Sequence, residues 1–110
     1  MMVGGKEVDS SEYATDVPFD DLKQKDVGGP GIPEDLLASL RGVGFRTMSA
    51  IQQQSLPRVL GVGHTPNQNV VVQAQSGSGK TMSFTIGALC KVDRAVRAPQ
   101  VLVLGPSREL

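Results

Sequence analysis

The chain of 110 residues has a single cysteine, no net charge and no long apolar run, and each shortage removes a class of protein. One cysteine excludes an internal disulfide framework and a Cys-based zinc site. No apolar stretch approaches the roughly 18–20 residues that a membrane-spanning helix requires. The amino end, MMVGGKEVDSSEY, lacks the hydrophobic segment of a secretory signal. The expectation is a chain that does not insert into membranes and works in a reducing, intracellular compartment. What is present, 39% apolar residues, suffices for a folded core if it comes from the richer part of the chain. The length suits one small domain or a piece of a larger one.

The zero net charge hides an asymmetry. Residues 1–35 hold nine acidic groups against three basic ones, and residues 36–110 hold eight basic groups against two acidic ones. A basic carboxyl-terminal body suits a surface that meets phosphates, although an ordinary solvated surface gives the same count. Residues 1–18 are polar and acidic without helix or strand periodicity, and are expected to form a flexible acidic extension. KQKDVGGPGIP, Lys23 to Pro33, is loop or linker chemistry.

From Pro33, at a first helical position, Glu34 and Asp35 followed by Leu36, Leu37, Leu40 and Val43 predict a short amphipathic helix that ends near Gly42 and Gly44. Ser49 and Gln52 form an S-x-x-Q capping box for a second helix. Pro57 is expected to start a separate turn, Pro57 to Leu60, because a proline inside a helix removes an N–H and clashes with the preceding turn. Gly61 to Asn69 reads as a loop. The apolar runs Val70 to Val72 and Val101 to Leu104, separated by a helix from about Lys80 to Val92, predict buried parallel strands joined by a crossover. The fold class that follows is α/β.

Between the first run and that helix stands AQSGSGKT, Ala74 to Thr81. Gly77 and Gly79 permit a backbone that turns successive N–H groups inward, and the helix N-terminus behind them adds partial positive charge. Lys80 can bridge β- and γ-phosphates and the Thr81 hydroxyl can ligate Mg²⁺, as in the phosphate-loop pattern G-x-x-x-x-G-K-[ST]. Ala74 stands where that pattern has its first Gly. The plain alternative, a Gly/Ser turn with an incidental lysine, does not explain the strand–loop–helix context. Elsewhere, His64 has no second metal ligand near it in sequence, Cys90 reads as a small buried hydrophobe, and Met82, Phe84, Ile86, Ala88 and Leu89 read as packing surface.

GFRTMSAIQ (Gly44 to Gln52), AQSGSGKT and PSREL (Pro106 to Leu110), in that order, resemble the DEAD-box ATP-dependent RNA helicases. The resemblance covers residues 19–110, which would be the amino-terminal part of a RecA-like ATP-binding domain ending just after motif Ia. The implied architecture is an incomplete RecA-like parallel sheet with flanking helices. Long segments around GVGHTPNQN and NVVVQAQSGSGKT add a likeness to the branch that acts in messenger RNA export at the nuclear pore.

The resemblance implies ATP and Mg²⁺ as cofactors, held by Ala74, Gln75, Ser76, Gly77, Ser78, Gly79, Lys80 and Thr81. Lys80 and Thr81 carry the catalytic share, and Thr81 meets the metal. Gln52 would pair with adenine and Ser49 is the adjoining hydroxyl residue, while Phe19 in PFDDL would stack on the base. Taken locally, the Gln52 amide could instead serve only the cap of its own helix, and both roles remain open in different states. Pro106, Ser107 and Arg108 would hold an RNA backbone without reading bases. Pro is usual in the family where Met48 and Ala50 stand, and the spacing from Phe19 to Gly44 is longer than usual.

The implied protein is a monomer of the cytoplasm or nucleus, acting on RNA with protein activators. These 110 residues include no D-E-A-D or S-A-T segment and are expected not to hydrolyse ATP by themselves. Two other readings share the motifs: a non-catalytic nucleotide- or RNA-binding module, and another phosphate-loop enzyme such as a GTPase or nucleotide kinase.

Overall fold

The structure is a computed structural model that describes residues 2–3, 6–7, 16–26, 29–63, 69–75 and 77–106. Its elements are strands β1 (Met2–Val3) and β2 (Lys6–Glu7), a 3-10 turn (Phe19–Leu22), helices α1 (Glu34–Gly42) and α2 (Ala50–Leu60), strand β3 (Val72–Gln73) and helix α3 (Lys80–Lys91).

Helix α1 begins after Pro33, whose extended backbone makes it the N-cap, one position earlier than its expected place. Glu34 and Asp35 lie at the positive end of the helix dipole and Arg41 at the negative end. Arg41 also joins Asp20 at 3.0 Å and Glu34 at 2.8 Å, and Lys23 joins Glu34 at 3.1 Å. The Arg41–Asp20 and Lys23–Glu34 pairs tie the 3-10 turn and its C-cap to α1, and the Arg41–Glu34 pair lies within α1; all are exposed and each has a small energy. The Lys23 hydrogen bond first, and that of Arg41 second, lowers the Glu34 pKa. Its contribution is therefore present at neutral pH and is lost as acid protonates the carboxylate.

The Gly/Pro stretch expected to act as a linker folds back on the turn instead. Ile32 N–H donates to the Leu22 carbonyl at 2.7 Å and Gln24 N–H to the Ile32 carbonyl at 2.9 Å, which buries Ile32 completely. Phe19, Leu22, Ile32, Leu37, Leu40, Met48, Leu56, Leu60 and Ile86 form one apolar core drawn from the turn, the three helices and the segments that lead into α1 and α2. Val17 packs against this core, so packing begins before Phe19.

Helix α2 continues through Pro57, contrary to the expected break. An interior proline costs about 3 kcal/mol, whereas each leucine fully buried gains about 2 kcal/mol. Leu56 and Leu60, on either side of Pro57, enter the core only if the helix runs on. It ends at Gly61, in the left-handed region.

The expected pair of parallel strands is not formed. β3 pairs antiparallel with β1, Val3 opposite Val72, and β1 pairs antiparallel with β2, giving the order β2-β1-β3. Two of these short strands lie within residues 1–18, expected to form a flexible extension. Val101 to Leu104 belongs to no strand and is 45–85% exposed. A run apolar on both faces is stable as a parallel strand only between two covering layers, and here α2 packs mainly on α3 instead. Among the described residues no helix is long and apolar enough to cross a membrane.

Helices α2 and α3 run side by side in the same direction, with Gln52 facing Gly79, Ser55 facing Ser83 and Val59 facing Gly87. A Cβ at Gly87 would collide with Val59 Cγ1. Gly87→Ala is expected to lose about 1–3 kcal/mol to overpacking, more than the helix propensity of alanine returns. Adding Val59→Ala should relieve it. Denaturant midpoints of the single and double variants check both.

Candidate functional site

The site is built where the N-termini of α2 and α3 meet. Ser49 is the N-cap of α2, and its capping box is complete. Its Oγ accepts from Gln52 N–H at 3.4 Å, and Gln52 Oε1 accepts from Ser49 N–H at 2.9 Å. Both residues then reach the phosphate loop: the Ser49 hydroxyl donates to the Ser78 carbonyl at 2.7 Å, and Gln52 Nε2 donates to the Gly79 carbonyl at 3.3 Å. The local reading of Gln52 as a cap therefore describes half of its amide. The other half turns to the loop.

The loop supports itself from within. The Ser78 hydroxyl donates to the Gln75 carbonyl at 2.6 Å, and the Lys80 ammonium donates to the Ala74 carbonyl. Gly77 and Gly79 have φ of +81° and +97°, a region that side chains rarely adopt. Gly79 is the N-cap of α3 and offers no side-chain cap, which leaves first-turn N–H groups of that helix available to an anion. Thr81 is exposed on the same turn. The donor set suits a triphosphate: the uncapped first turn of α3, the Lys80 ammonium and the Thr81 hydroxyl belong to one turn, while the bare Gly79 lets Gln52 and Ser49 pack against it from the α2 side. Beside it, Ser55, Val59, Val72, Lys80, Thr81 and Phe84 help to line a largely apolar cleft of about 440 Å³.

Other expected residues are placed differently. Phe19 is 1% exposed in the core, so neither ring face is open to a base. The longer connection to Gly44 does not free it, because its N–H donates to the Arg46 carbonyl and Met48 N–H to the Val17 carbonyl, which clamps the turn to the segment before α2. Pro106 is exposed. Ser76, Ser107, Arg108 and His64 lie outside the described residues. Cys90 is half-buried against the core, and burial, then the Asp35 charge, pushes its thiol up to about 11. No cluster of three or more His, Cys, Asp or Glu that could hold a metal occurs among the described residues.

Two features of the site escaped the sequence reading: the carbonyls of Ser78 and Gly79 as anchors for α2, and the buried Ser55–Ser83 contact, with hydroxyls 3.0 Å apart. The signal was present as spacing. Ser49, Gln52 and Ser55 recur every three residues and Gly79, Ser83 and Gly87 every four, so each set marks one helix face. Gly79→Ala is expected to part these faces. Left-handed backbone costs alanine about 1–2 kcal/mol, and the clash with Gln52 adds to it. A lowered denaturant midpoint is the predicted result, and an unchanged one contradicts the geometry.

The family model described as "DEAD/DEAH box helicase" matches residues 49–110. The chain is 36% identical to the "ATP-dependent RNA helicase dbp5" of Aspergillus oryzae, over 98% of this chain and 24% of that protein. It is 38% identical to the "ATP-dependent RNA helicase eIF4A" of Yarrowia lipolytica, over 100% of this chain and 26% of that one. With the eIF4A of Eremothecium gossypii the identity is 45%, over 84% of this chain and 20% of the relative. The chain thus spans about a quarter of the length of the curated relatives it matches. No solved structure matches it significantly. With the phosphate loop and the capped glutamine helix both inside or bordering the matched segment, this chain belongs to the DEAD/DEAH box helicase family.

Proposed function

We propose that the chain is the ATP-binding portion of an ATP-dependent RNA helicase with a RecA-like fold, and that Gln52 gives the site its preference for adenine. The observation that carries this reading is the Gln52 contact to the Gly79 carbonyl. It brings an amide able to donate and accept at once to the edge of a phosphate cradle. Adenine presents an acceptor and a donor side by side at N7 and N6, which a glutamine amide matches; guanine presents two acceptors there.

Binding replaces partners that the loop now supplies to itself. Phosphate oxygens take the Lys80 ammonium from the Ala74 carbonyl and gather the backbone donors at the start of α3. Mg²⁺ would neutralise the β- and γ-phosphate charge, with Thr81 as its ligand from this chain. Phosphoryl transfer consists mainly of positioning and charge neutralisation, and Lys80 and Thr81 are the share offered here. The sequence has no D-E-x-D segment to orient an attacking water, so these 110 residues by themselves bind nucleotide without turning it over. RNA would meet Pro106, Ser107 and Arg108 through its phosphates, which positions a strand without reading it. The relatives named as ATP-dependent RNA helicases support both the nucleotide and the RNA assignments.

The test is nucleotide titration of the full chain. Wild type should bind Mg·ATP more tightly than Mg·GTP. Gln52→Ala should reduce ATP affinity about ten-fold, as expected for loss of one to two hydrogen bonds, and reduce GTP affinity less. Lys80→Ala should weaken both. Equal affinities for ATP and GTP, insensitive to Gln52→Ala, would favour a different phosphate-loop protein.

A further inference from the structure

Five polar atoms lie in a continuous path between the two helices, joined by four contacts. Gln52 Nε2 is 3.3 Å from the Gly79 carbonyl, Ser83 Oγ is 3.4 Å from the same carbonyl, Ser55 Oγ is 3.0 Å from Ser83 Oγ, and the Ile51 carbonyl is 2.6 Å from Ser55 Oγ. Ser55 is 0% and Ser83 5% exposed, and both stand at the inner wall of the cleft beside the loop. No buried side-chain nitrogen or oxygen among the described residues lacks a partner.

Each hydroxyl has one proton, and that count restricts the arrangement. Carbonyls only accept. When Ser55 donates to Ile51 across the short 2.6 Å contact, the bond between the two serines must come from Ser83. Ser83 then has no proton for Gly79, and Gln52 supplies that carbonyl instead. The alternative reverses both hydroxyls: Ser55 donates to Ser83 and Ser83 donates to Gly79. The Ile51 carbonyl keeps its helical N–H partner in either case. Every atom needed for both arrangements is already in place, so the exchange requires rotation of two hydroxyls and no backbone movement.

We propose that Ser55 and Ser83 form a hydroxyl relay that takes over the Gly79 carbonyl when Gln52 leaves it for the base of a bound nucleotide. The inference rests on the adenine reading of Gln52. The two serines are positioning residues. They keep the end of the phosphate loop hydrogen-bonded to the α2–α3 interface while the amide is engaged elsewhere, which lowers the cost of releasing Gln52. Without the Ser83 hydroxyl, the amide's departure leaves the carbonyl only the backbone N–H of residue 83, 3.3 Å away, and its second lone pair unpartnered. Without Ser55, Ser83 has its proton free for Gly79 at all times.

This asymmetry is the test. The full chain and its Ser83→Ala, Ser55→Ala, Gln52→Ala and Gln52→Ala/Ser83→Ala variants are titrated with Mg·ATP and with magnesium tripolyphosphate, which has the charge without the base. Ser83→Ala should weaken ATP binding about five-fold, the value of one hydrogen bond, and leave tripolyphosphate binding unchanged. Ser55→Ala should bind ATP at least as tightly as wild type. Ser83→Ala should add nothing to Gln52→Ala. Equal weakening of both ligands by Ser83→Ala, or weaker ATP binding in Ser55→Ala, overturns the relay and leaves two serines that merely pack. Should Ser83→Ala not fold, the Ser55→Ala titration decides alone. Failure of Gln52→Ala to change ATP binding removes the adenine reading, and the relay with it; a normal Gln52→Ala response with a silent Ser83→Ala removes the relay only.

Discussion

The close, parallel packing of α2 on α3 is the constraint on which the site depends. Three successive contacts hold it: amide on carbonyl at Gln52 and Gly79, hydroxyl on hydroxyl at Ser55 and Ser83, and methyl on bare backbone at Val59 and Gly87. Every residue on the α3 side is small, which lets the two backbones approach without forcing a rotamer. The N-terminus of α2 is thereby carried to the phosphate loop, where the same residues that cap the helix also hold the loop. The uninterrupted course of α2 through Pro57 belongs to this constraint, since Leu56 and Leu60 anchor the far side of the helix in the core.

The loop is held by bonds of its own. Its carbonyls are taken up by Lys80, Ser49, Gln52 and Ser78, all donors that belong to the chain itself. A ligand rich in acceptor oxygens can release the ammonium from its carbonyl, because a charge-assisted bond to phosphate is stronger than one to a neutral carbonyl. Gln52 and the glycine-rich loop are consequently not independent. A change at Gly79 is felt by Gln52, and a change at Gln52 is felt by the loop.

What could be read from the sequence was local chemistry. The capping box at Ser49 and Gln52, the acidic start and glycine end of α1, and the glycine conformations at Gly77 and Gly79 each follow from residues a few positions apart, and the structure contains all of them. What could not be read depended on distant partners. Val70 to Val72 and Val101 to Leu104 have the composition of buried strands, yet pairing is decided by what covers them; one shrinks to a two-residue strand and the other stays exposed. Phe19 has the type and place of a stacking aromatic, but the clamp between Val17, Arg46 and Met48 turns it into the core. The Ser55–Ser83 contact was encoded in the three- and four-residue spacing of small side chains, a pattern that carries meaning only once the two helices are known to face each other.

The central claim is that the glutamine helix and the phosphate loop respond to nucleotide as one unit. Amide hydrogen exchange of the full chain, followed residue by residue with and without Mg·ATP, tests it most directly. Protection should rise together at the first turn of α2, residues 49–53, and across residues 77–83, with the same dependence on ATP concentration. Protection confined to the loop, with residues 49–53 exchanging as before, would contradict the account.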